Sequence, residues 1–149
     1  MTPMDPDYEA RVRTSFGRQQ VMTLLGAEMT IVRPGETEIV MPFRETLTQQ
    51  HGFVHAGIMT AIADSACGYA ALSLMPPGVG VLSVEFKVNL LNPASGARFV
   101  AHGQVVKAGH TIMVCTGSVV AERANGTQQT VALMQATIMV VRDRAGVSD

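Results

Sequence analysis

Between Ala56 and Leu74 the chain is apolar around nearly the whole circumference of a helix, and from Leu82 to Leu90 it changes to a period of two. The first stretch is rich in Ala, Met, Ile and Leu, which favour helix, and a helix apolar all round is normally buried on every side. In the second, Leu82, Val84, Phe86, Val88 and Leu90 alternate with Ser83, Glu85, Lys87 and Asn89, which predicts a strand with one buried and one polar face. Pro76-Pro77-Gly78 stops the helix between them. Upstream, Tyr8 to Gly26 carries helical spacing and ends on a stop-like glycine. Glu28–Arg33 and Thr37–Met41 are β-prone segments on either side of Pro34-Gly35-Glu36, which reads as a hairpin. Pro42 to Val54 is polar and loop-like. After Asn92-Pro93-Ala94-Ser95-Gly96 come three more strands, Phe99–Lys107, Thr111–Glu122 and Thr130–Val141, joined at Ala108-Gly109-His110 and Ala124-Asn125-Gly126. The segment 142–149 is polar and is expected to be loose.

Helices and strands in separate blocks indicate an α+β domain. A central helix that is apolar all round needs a sheet curved around it, and one sheet cannot enclose it alone. A second subunit is therefore expected to cover the remainder. At 149 residues the chain fits one domain, 1–149, with an N-terminal helix over about 8–25, a core over about 26–142 and a tail over 143–149.

Composition sharpens this. Hydrophobic residues make up 47% and charged ones 15%, which argues against disorder and for extensive burial. A net charge of −1 supplies no basic field for nucleic acid or an anionic membrane. The apolar run holds Asp64, Ser65, Gly68 and Ser73 and lacks flanking Lys or Arg anchors, which argues against a membrane span. Cys67 and Cys115 are no disulfide framework, no signal peptide is read at the N-terminus, and a cytoplasmic location is expected.

Asp64 is the only charged side chain between Glu45 and Glu85. A carboxylate on a buried helix is costly unless it is paired, hydrogen-bonded or neutralised, so Asp64 is the first candidate for chemistry. The approach to its helix reads His55-Ala56-Gly57, and a helix N-terminus presents unpaired N–H groups and partial positive charge. Asp64 is expected to lie near enough to act on a group held at that entrance. A polarising N–H and a carboxylate together suit acyl transfer. His51 and His55, four residues apart, invite a metal reading, but no third ligand stands in register. Packed histidines bonded to backbone are the plainer expectation. Cys67 has no cationic neighbour in sequence to make a thiolate and is expected to be core.

Taken as a pattern, Gln49-x-His51-x-x-x-His55-Ala56-Gly57, followed by Ala63-Asp64, resembles the hotdog-fold acyl-CoA thioesterases, particularly the phenylacetate-pathway type. The resemblance runs from about Met22 to Val141 and takes in Leu82–Ala94 and Val106-Lys107-Ala108-Gly109-His110. It implies a long helix wrapped by a curved antiparallel sheet, dimers with a continuous sheet, a dimer of dimers, and active sites at the subunit interface. By position, Asp64 matches the catalytic carboxylate, as nucleophile or general base. Ala56 matches the first glycine of the family's His-Gly-Gly motif, whose N–H binds the thioester oxygen; an alanine keeps that donor only if its φ is negative. Gln49 falls where relatives orient substrate or water, and Ser83 matches a serine that some relatives supply from the neighbouring subunit. His51, His55 and Gly57 flank the substrate in this reading, and Lys107 and His110 are candidates to meet coenzyme A phosphates. The resemblance implies an acyl-CoA substrate and neither metal nor redox cofactor. A hydratase or dehydratase on the same fold, and a non-catalytic acyl-CoA-binding module, are the alternatives.

Overall fold

The alternating stretches pair into one six-stranded antiparallel sheet in the computed structural model, which describes residues 1–149. The strands are β1 (Glu28–Arg33), β2 (Glu36–Pro42), β3 (Gly80–Leu90), β4 (Arg98–Ala108), β5 (Ile112–Glu122) and β6 (Gln128–Val141). Their spatial order, β1-β2-β4-β5-β6-β3, leaves β1 and β3 as the two edges. The apolar run forms α3 (Ala56–Leu72), which lies against the sheet and touches β2 through β6. This is the hotdog architecture. No helix is long and apolar enough to cross a membrane.

Close seating of α3 depends on what the strands lack. A Cβ on Gly103 of β4 would fall 2.3 Å from the Ala66 carbonyl, so only glycine lets the backbones approach this closely. Beside it the buried Thr37 hydroxyl donates to the Ala66 oxygen at 2.7 Å. Met59, Ile62, Ala63, Ala66, Cys67, Ala70 and Leu72 are all buried there. The far end of the helix is closed by Arg11, whose guanidinium donates to the Met75 carbonyl at 2.6 Å and pairs with the buried Asp5 at 2.8 Å. A backbone N–H from Asp7, ahead of Arg11 itself, holds the Asp5 carboxyl below the usual carboxylate range. Ser73 accepts from the Gly35 N–H at 2.8 Å and thereby ties the β1–β2 turn, where Gly35 has φ 81°, to the same helix end.

Three expectations need correction. The N-terminal helix is two: α1 (Tyr8–Gly17) and α2 (Gln20–Leu25), broken where Gln19 turns extended at φ −80°, ψ 94°. The break lets the Gln19 amide accept from the Ser65 hydroxyl of α3 at 3.2 Å. The tail is not loose. The Asp149 carboxylate accepts from the Ser15 hydroxyl at 2.6 Å and from Arg18 at 2.5 Å, and its carbonyl accepts from the Gly78 N–H at 3.0 Å. Finally, β3 has no buried polar-free face: Leu82, Val84, Phe86 and Leu90 are all 40–55% exposed. As an edge strand it lacks a neighbour on one side, and α3 does not reach across its whole width.

Candidate active site

Two half-sites lie along α3. The first is at its entrance. His55 is the N-cap, and its Nδ1 accepts from the Gly57 N–H at 2.9 Å. A Cβ on Gly57 would sit 3.1 Å from this nitrogen, so the glycine gives the imidazole room to fold over. With the Gly57 amide engaged, the Ala56 N–H has no acceptor in the chain. Ala56 is not among the positive-φ residues (Asp143, at φ 52°, is the one outside glycine), so the condition for an alanine to keep the donor is met. Gln49 lies beside it on a tight loop, closed by Gln49 N–H to the Phe53 carbonyl at 2.8 Å with Gly52 at φ 83°. The Gln49 amide oxygen accepts from the His51 N–H, which leaves its NH2 group for a ligand. Gln49, His55 and Ala56 line an open, largely apolar cavity of about 640 Å³ with Met59 and the Leu90–Ala94 loop. His51 is exposed and outside this lining, and its ring nitrogen Nε2 meets the Gln50 amide at 3.4 Å.

The second half-site holds Asp64. It is half-buried rather than enclosed, and the Ser83 hydroxyl of the same chain donates to its Oδ1 at 2.6 Å. The sheet explains the meeting. Ser83 pairs with Ile138 and Glu85 with Thr137, so Val84 is an extra residue, a β-bulge that shifts the alternation by one. Ser83 and Phe86 thus share the face of the buried Ile138 and Ala136, towards α3, while Leu82 goes with Met139 to the outer face. Unbroken alternation would have set Ser83 and Phe86 on opposite faces. Asp64 and Ser83 line a separate cavity of about 320 Å³ with Ser15, Gln19, Gly68 and Asp149. Tyr69 adds a phenol whose pKa burial pushes up, with a hydrogen bond to Ser15 pulling it back.

Within one chain the two half-sites do not form one pocket. Ala56 and Asp64 are eight residues apart, about 12 Å along the axis at about 1.5 Å per residue, and they line different cavities. Asp64 thus stands about two turns from the donor at its own helix entrance and opens on a different cavity. Ser83, matched by the resemblance to a serine that some relatives supply from the neighbouring subunit, here meets Asp64 within one chain, brought to it by the bulge. Lys107 and His110 lie at the β4–β5 turn, outside both cavities, and His110 lines a third near Met75 and Arg142. Cys67 is inert: burial foremost, then the neighbouring Cys115 and Asp64, push its thiol far above the ordinary range, and burial pushes Cys115 up to about 12. Gln19 and Asp149 were missed by sequence reasoning, because only the folded path of helix and tail brings them beside Asp64.

The sequence model of the Thioesterase superfamily matches residues 51–127, which spans the helix entrance, Asp64, Ser83 and strands β3 to β5. The chain belongs to the thioesterase superfamily. It is 51% identical to a thioesterase family protein from Silicibacter pomeroyi, whose crystal structure superposes with a TM-score of 0.89, covering 91% of this chain and 98% of that one. It is also 32% identical to a candidate esterase of Halobacterium salinarum over 96% of this chain and 99% of the relative. The Escherichia coli PaaI protein from the phenylacetic acid degradation operon, 19% identical, shares the fold with a TM-score of 0.80 over 95% of this chain and 96% of its own. The protein is thus a thioester hydrolase by family, carrying an orphan amide and a serine-bound carboxylate on its central helix.

Proposed function

We propose that this thioesterase hydrolyses acyl-CoA to a carboxylic acid and coenzyme A, at a site made from the Gln49–Ala56 entrance of one copy and the Asp64–Ser83 pair of another. The observation that carries this reading is the separation of the two half-sites: an orphan amide suited to an oxyanion and a carboxylate suited to attack stand about 12 Å apart in one chain. The thioester carbonyl oxygen accepts from the Ala56 N–H, and the Gln49 NH2 holds the attacking water or the substrate. As general base, Asp64 takes a proton from water while the C–O bond forms. The tetrahedral oxyanion collapses, the C–S bond breaks, and the sulfur leaves with that proton. As nucleophile, Asp64 forms a mixed anhydride with loss of the thiolate, and water then cleaves it. Ser83 anchors Oδ1 in either route and leaves Oδ2 free to work. Neither route draws on a metal or redox cofactor, and free Cys67 and Cys115 suit the reducing cytosol.

Isolated mixed dimers provide the test. A dimer of one Asp64→Asn and one Gln49→Ala subunit keeps one whole site and should retain roughly half the wild-type rate. A dimer of one Asp64→Asn and one Ser83→Ala subunit has a lesion in each site and should stay at the level of the single mutants. The opposite pattern would return Ser83 to the far subunit. Equal loss in both mixed dimers would abolish the shared site.

A further inference from the structure

The chemistry above uses Asp64 and Ser83 but not the cavity behind them. We infer that this cavity receives the acyl group and restricts it to a compact one, with Gly68 keeping it open and the Ser15–Asp149–Arg18 clasp as its end wall. This rests on the proposed acyl-CoA reading. A thioester carbonyl held between the two half-sites has two arms. The cavity of about 640 Å³ at the helix entrance is the more open and suits the long arm of coenzyme A. The more enclosed one of about 320 Å³ beside Asp64, polar apart from Tyr69, Val81, Leu82 and Ile138, is left for the acyl group. At about 30 Å³ for each water-sized group, the share of the pocket that one chain supplies holds roughly ten heavy atoms.

Gly68 lies one turn beyond Asp64, on the same helix face. Glycine is the poorest helix former after proline, yet here neither backbone conformation nor packing calls for it. Its φ is not left-handed, and a Cβ at this position would meet no heavy atom within 4 Å. Gly103, by contrast, is filled by the helix backbone. What a side chain at 68 would occupy is the cavity itself. The far side is polar. Asp149 bridges the Ser15 hydroxyl and the Arg18 guanidinium, and Val147 packs so closely on Gly80 that a Cβ there would lie 2.9 Å from its Cγ1. An extended alkyl chain would have to strip water and partners from this ion pair, so the wall ends the pocket rather than accommodating more chain.

The test is a series of straight-chain acyl-CoA esters from four to sixteen carbons, assayed by thiol release with wild type, Gly68→Ala, Gly68→Leu, Ser15→Ala and Asp149→Ala. Folding is verified by circular dichroism and oligomeric state by light scattering. Wild type should lose kcat/KM sharply beyond about ten heavy atoms. Gly68→Leu should lower the long-to-short ratio at least about tenfold, the worth of a methylene or more in a fitted pocket, with Gly68→Ala between. Removing the clasp at Ser15 or Asp149 should raise the same ratio. A wild-type optimum at sixteen carbons, or a ratio that stays within twofold in folded Gly68 and clasp variants, would overturn the inference. Should wild type cleave no acyl-CoA at all, the reading above fails instead. Calorimetric binding of S-alkyl-CoA thioethers of the same lengths then decides the pocket by the same ratios.

Discussion

Asp64 and Ser83 meet because Val84 has no partner across the β3–β6 ladder. Asp64 itself was legible, since an isolated carboxylate in an apolar run stands out in any sequence. The donor at Ala56 was legible by motif, and its freedom follows from the folded entrance, in which His55 takes the next amide and leaves this one. That Ser83 meets Asp64 within its own chain was not legible. A bulge depends on where the hydrogen-bond ladder slips, and alternation by itself offers no sign of it. If Asp64 is the working carboxylate, Asp64→Asn keeps size and fold but removes both base and nucleophile. Thiol release should fall by at least about 10³-fold with Tm nearly unchanged. A rate near wild type would remove Asp64 from the mechanism.

Among the elements, the helix and all six strands are readable from period and punctuation to within a few residues, because hydrophobic spacing is what pairs them with a core. Two features are not. The N-terminal helix breaks at Arg18–Gln19, and the tail docks on α1; both are settled by long-range partners, Ser65 for one and Ser15 with Gly78 for the other. Local sequence holds neither partner. The seating of α3 is a different case, since Gly103 reads as an ordinary strand glycine until the helix is laid against it. Gly103→Ala would drive a Cβ into backbone atoms of Ala66, which cannot swing aside as a side chain can. Overpacking of this kind costs about 1–3 kcal/mol, and more where backbone must shift. A Tm lowered on the order of 5–10 °C in a scanning melt is expected. An unchanged Tm would mean that α3 does not approach the sheet as closely as described.

At the scale of the molecule, the two sheet edges are treated differently. β1 is guarded: α1 packs on it, and the Arg13 guanidinium donates to the Met29 carbonyl at 2.8 Å. β3 is bare, with Leu82, Val84, Phe86 and Leu90 exposed along it and Leu91 just beyond. A long edge with apolar side chains on both faces suits pairing with another copy of the chain, which the proposed division of the site between two copies requires. The same expectation arose from the apolar helix, though for a different reason: the helix is largely covered within one chain, and it is β3 that is left uncovered. Phe86→Lys places a charge in the middle of this strand, on the helix side, where a partner would bury it. The variant should run as a monomer by light scattering at micromolar concentration, with native circular dichroism, and should lose thiol-release activity together with the dimer. If it stays dimeric, the interface lies elsewhere on the molecule. If it is monomeric and fully active, one chain suffices for catalysis, and the division of the site between two copies is wrong.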